Sequence, residues 1–119
     1  MSANNYFVTR KKAYDLHEVS VTQANYTVRT GRVADGLQED RVVNITTTSG
    51  GDDITITVPD GAYEGQRLLI NLVTCGDDET VTVSTTTGDD ATLGDTGDFV
   101  SYEWVNATSG WQTIHSQTD

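Results

Sequence analysis

Apolar and polar residues alternate in short runs along most of this chain. Ile54, Ile56 and Val58 are separated by Thr55 and Thr57, and Val81 and Val83 stand among Thr80, Thr82 and Ser84. A period of two places alternate side chains on opposite faces, so each run predicts a strand with one apolar and one hydroxyl-bearing face. In a third run Val100, Tyr102 and Trp104 share one face, with Phe99, Ser101, Glu103 and Val105 on the other. Leu68, Leu69, Ile70, Leu72 and Val73 are interrupted only by Asn71. That near-continuous run predicts a central strand buried on both faces. Strands are expected over 18–22, 26–29, 41–47, 53–58, 66–74, 80–86, 98–106 and 111–115. No long stretch shows a convincing helical period. The best, 10–19, is short enough to be one turn or an extended arm.

The breaks between the runs carry turn chemistry. Gly51-Asp52, Asp60-Gly61, Gly76-Asp77, Gly88-Asp89, Gly94-Asp95 and Gly97-Asp98 punctuate the sequence, and the lone proline, Pro59, stands where a strand stops. Glycine accepts positive φ, and aspartate bonds its own nearby backbone. Short β-branched runs between such turns predict an all-β chain, a small antiparallel β-sandwich or barrel-like domain. Residues 1–20 read as an extended N-terminal arm, because their apolar content cannot build a core, and 21–119 as a single β domain.

Composition narrows the possibilities. The chain has 119 residues, 35% of them hydrophobic, which suits one modest core or a core shared between copies. Seven Lys and Arg stand against 18 Asp and Glu, for a net charge of −11. The imbalance argues against nucleic acid and anionic membranes as partners, since both call for clustered cations. It is also uneven. Residues 1–41 hold Arg10, Lys11, Lys12, Arg29, Arg32 and Arg41 against five acids, whereas 42–119 hold only Arg67 against thirteen. The opening residues lack the features of a secretory signal, so synthesis in a cytosol is expected. One cysteine, Cys75, leaves no intrachain disulfide framework.

Candidate chemistry is sparse. The acid pairs Asp52-Asp53, Asp77-Asp78 (with Glu79) and Asp89-Asp90 follow glycines; they suit structural turns, and calcium is the alternative. His17 and His115 lack metal-ligand spacing, and no serine or cysteine stands in a nucleophile motif. No catalytic residue, metal or cofactor is therefore assigned, and the chain is expected not to be an enzyme. Tyr63, Tyr102, Trp104 and Trp111 fit either a small β core or a platform on which a sugar stacks; the core is preferred. Leu68, Ile70, Leu72, Trp104 and Trp111 are expected to pack the core or a trimer contact.

The second half of the chain resembles a module of tailed-bacteriophage virion proteins, of the capsid-decoration and head-fibre type. The likeness lies in Ile54-Thr-Ile-Thr-Val-Pro59-Asp60-Gly61, followed by Tyr63-Glu64-Gly65-Gln66-Arg67-Leu68-Leu69-Ile70. It continues through Thr80-Val-Thr-Val83, Thr92-Leu93-Gly94-Asp95, Gly97 to Trp104 and Gly110 to Ile114, covering residues ~50–116. The resemblance implies a β-rich, often trimeric structural protein without catalytic residues, located on the virion. On that basis the expected function is a decoration (cement) protein, a homotrimer that binds the major capsid protein on the outside of the head and stabilises it. Arg10, Lys11 and Lys12, the one basic run, are expected to face acidic groups of the capsid. The alternatives are a fibre or tail-tip module binding a host glycan, and a β-sandwich interaction domain with no virion role.

Overall fold

A computed structural model describes residues 17–33 and 36–118. They form an all-β structure with no helix among the described residues. The strands are β1 (Glu18–Val21), β2 (Asn25–Thr27), β3 (Thr30–Val33), β4 (Gly36–Glu39), β5 (Val42–Thr46), β6 (Ile54–Val58), β7 (Arg67–Thr74), β8 (Val81–Thr85), β9 (Ala91–Leu93), β10 (Phe99–Trp104) and β11 (Trp111–Gln117). One sheet runs β1-β5-β7-β10-β11, a second β2-β6-β8-β9, and β3 and β4 form a hairpin of their own. Residues 18–20, grouped with the arm in the sequence, belong to edge strand β1.

The sheets are mixed, which corrects the expectation of an antiparallel domain. β1, β5 and β7 pair in parallel, as do β2, β6 and β8. Chain order explains why. The pairs β1–β2, β5–β6 and β7–β8 each visit the first sheet and then the second, so each return brings the chain back in the same direction. The crossover that parallel strands require is supplied by a strand of the opposite sheet. Only the last elements reverse: β9 pairs antiparallel with β8, and β10 with both β7 and β11. Two of the glycine–aspartate turns, Gly51-Asp52 and Gly76-Asp77, arch from one sheet to the other.

Parallel register stacks like on like. Val21, Ile45 and Leu72 lie side by side across three strands, and Ile54, Val81 and Leu93 across three of the other sheet. All six are at most 2% exposed and belong to one apolar cluster drawn from both sheets. The outward face of the second sheet repeats the rule with hydroxyls, since Thr55 lies beside Thr82 and Thr57 beside Ser84. β7 is central in its sheet, but it is not buried on both faces: Leu68, Ile70 and Leu72 point into the core, Leu69 and Asn71 are half-buried, and Val73 is 49% exposed.

Candidate functional site

The aromatic residues considered for a sugar platform converge in the core. Trp111 is 0% exposed, Tyr102 0% and Trp104 5%. Trp104 and Trp111 meet edge to face with ring centroids 5.5 Å apart, a favourable geometry for paired π-systems. The Trp111 indole Nε1 donates to the Pro59 carbonyl at 2.8 Å. Gly61 lies so close to Trp104 that a Cβ there would stand 2.3 Å from the indole Cγ. Gln66, 1% exposed, accepts from the Ala62 amide and donates to the Thr30 carbonyl. The Pro59–Gly61 turn is thus seated on two indoles and braced by one buried amide. No flat aromatic surface remains for stacking from Tyr102, Trp104 or Trp111; of the four residues only Tyr63, at 45%, is exposed.

Three acids of the pairs spend their carboxylates on backbone amides. Asp53 accepts from the Thr80 amide, Asp89 from the Thr113 amide and Asp90 from the Thr85 amide and hydroxyl. Glu79, 6% exposed, holds the amides of Asp77 and Gly50 and so ties two arches together. Asp98, 1% exposed, accepts from Gly94 and Asp95. Among the described residues no three His, Cys, Asp or Glu side chains gather as metal ligands. His17 and His115 lie apart: His17 Nδ1 bonds the Glu39 carbonyl, and His115 packs on Phe99. Cys75 is half-buried in the β7–β8 arch, its thiol 3.4 Å from the Glu79 and Gly94 carbonyls. Leu68, Ile70 and Leu72 are buried in the chain's own core. Arg10, Lys11 and Lys12 lie outside the described residues.

Sequence reasoning missed a buried pair of acids at the β4–β5 junction. Glu39 is 2% exposed and Asp40 1%. Asp40 accepts from the Tyr26 hydroxyl at 2.5 Å, the Arg29 amide at 2.9 Å and the Arg29 guanidinium at 2.7 and 3.0 Å. Burial, and then the Asp40 carboxylate, push the Tyr26 phenol up to about 12. Glu39 accepts from the Tyr63 hydroxyl at 2.6 Å and lies 3.6 Å from the Arg41 guanidinium. That bond, followed by burial, raises the Tyr63 phenol. Both Asp40 oxygens are bonded, whereas Glu39 is held through Oε2 alone and its Oε1 is buried without a hydrogen-bond partner; the cluster clamps β2 and the β6–β7 turn to the junction. Beside it His17, Glu18, Arg41 and Val42 line a shallow cavity of about 260 Å³.

A larger groove, about 630 Å³, opens between β9 and β11, an edge strand from each sheet. Asp90, Ala91, Thr92 and Gly94 form one wall, and Thr113, Ser116 and Thr118 the other, with Val100 between. The β11 register slips near Ser101 and Tyr102, leaving Ile114 unpaired and 47% exposed. Such a bulge turns an edge strand away from its sheet. The Tyr102 hydroxyl is buried nearby without a hydrogen-bond partner; burial, and then the charges of Asp90 and Asp89, raise its pKa.

No family model matches the chain, and no curated protein matches it.

Proposed function

We propose that this chain is a structural protein of a tailed-phage particle: a decoration protein that binds the outside of the head as a homotrimer and stabilises the shell. The supporting observation is the convergence of the residues that carry the resemblance. Pro59, Gly61, Gln66, Trp104 and Trp111, from three separate stretches, interlock at one point of the core. Those motifs build the fold. The two sheets face each other as the layers of a small sandwich, with one apolar core drawn from both. Its turns are lined with carboxylates, which would keep crowded particles from adhering to one another.

Since Leu68, Ile70 and Leu72 face their own core, contacts between copies use other surfaces. Burial of both tryptophans removes the observation that favoured a glycan-binding module. The test is reconstitution on particles that lack the chain. Purified protein should bind them and raise the temperature at which heads release DNA. Failure to bind would end the proposal.

A further inference from the structure

We propose that the groove between β9 and β11 receives the N-terminal segment of a second copy of this chain, laid along the free edge of β11. The observation behind it is an unfinished edge. Among the described residues β11 has β10 on one side and no strand on the other. Its first residues are tied down there, because the Trp111 amide donates to the Thr87 carbonyl and the Thr113 amide to Asp89. From Ile114 to Gln117 the strand is exposed. A free strand edge is a template for another strand, and recognition by strand addition uses such edges.

Charge chooses the occupant. The tied end of the groove carries Asp89 and Asp90, and the only cation of residues 42–119, Arg67, is paired with Glu103 at 3.4 Å on a different strand. A guest is therefore favoured if it brings its own positive charge. Sixteen residues precede His17, and among them Tyr6-Phe7-Val8-Thr9 is a run of strand-favouring residues followed directly by Arg10, Lys11 and Lys12. With Tyr6–Thr9 against Ile114–Gln117, the cations fall at one end of the guest strand, where they can meet the two aspartates. This gives the basic run an acceptor other than the capsid.

Reach favours a second copy. His17 leads into β1, the opposite edge of the same sheet from β11. Four interstrand steps separate those edges, about 19 Å. The seven steps from Arg10 to His17 span at most about 24 Å, which leaves little for the turn around β11 into the groove. Between copies no such limit applies. Donor and acceptor edges differ, so the contact is head-to-tail, and a rotation of one third of a turn per copy closes it as a ring of three.

Carbodiimide cross-linking of the purified full chain tests this, because Lys11 and Lys12 are its only lysines. Equal amounts of ¹⁴N- and ¹⁵N-labelled protein are mixed, unfolded and refolded together, and cross-linked. Mixed-isotope peptides joining Lys11 or Lys12 to Asp89 or Asp90 are expected. In parallel, R10E/K11E/K12E, which changes no residue of the β body, should convert trimers to monomers in light scattering. Same-isotope cross-links alone would place the segment in its own groove and overturn the exchange. Cross-links only to other acids, no cross-links, or a triple variant that remains trimeric would overturn it as well. No particle is involved, so failure here leaves the decoration proposal standing.

Discussion

The indole nitrogen of Trp111 donates to the carbonyl oxygen of Pro59, fifty-two residues earlier, at 2.8 Å. This bond joins the last strand to the turn that leaves β6, and with Gly61 against Trp104 it closes one end of the core. Trp111→Ala should cost about 3–5 kcal/mol, as large-to-small core changes do. Trp111→Phe should cost less, keeping most of the packing and losing the hydrogen bond. Thermal melts of the two variants give the ordering.

Gly110 combines a φ of +72° with a close approach. A Cβ there would lie 2.1 Å from the Thr87 carbonyl oxygen, which is backbone and cannot step aside. Gly65 has a φ of +89° but open space around it. Gly65→Ala should therefore cost only the conformational strain, about 1–2 kcal/mol. Gly110→Ala should cost clearly more and loosen the Gly88–Trp111 bridge. Denaturant titration of both variants separates strain from collision.

Much of this was legible in the sequence, and the exceptions have physical causes. β6, β8 and β10 follow from strict alternation, because their partners bury one face only. β3, β4 and β9 are short and carry no apolar alternation, so nothing local marks them. Parallel pairing was illegible because a turn's residues say that the chain bends and not which sheet it enters. Burial of Glu39 and Asp40 was hidden as well. It depends on Tyr26, Arg29 and Tyr63 arriving from a strand, a connection and a turn elsewhere in the chain, and an isolated acid pair reads as surface.

The Asp40 cluster sets a further expectation. Asp40→Ala removes the acceptor for Tyr26 and Arg29 together. Breaking a buried pair costs about 3–5 kcal/mol; the Arg29 side chain is 39% exposed, so the low end applies. Tyr26→Phe removes one hydrogen bond and should cost about 1 kcal/mol. Urea unfolding midpoints of the two variants test that order.

Alkaline pH should destabilise the protein. The Tyr26 phenol is held up to about 12 in the folded state, against 10.0 for a free tyrosine. Between those values the unfolded chain gives up a proton that the folded chain keeps, so stability is intact below pH 10 and falls as pH rises toward 12. Tyr63 and Tyr102 are shifted in the same direction and add to the loss. Circular-dichroism melts across this window should show a steeper decline for the parent than for Tyr26→Phe. Equal declines would remove Tyr26 from the explanation.

The central claim is a structural role on the surface of a phage head, and the number of copies per particle tests it most directly. Quantitative mass spectrometry of purified virions, with the major capsid protein as internal standard, gives that number. A decoration protein should be present in hundreds of copies, in fixed ratio to the capsid protein. A handful of copies, or absence from the particle, would contradict the assignment.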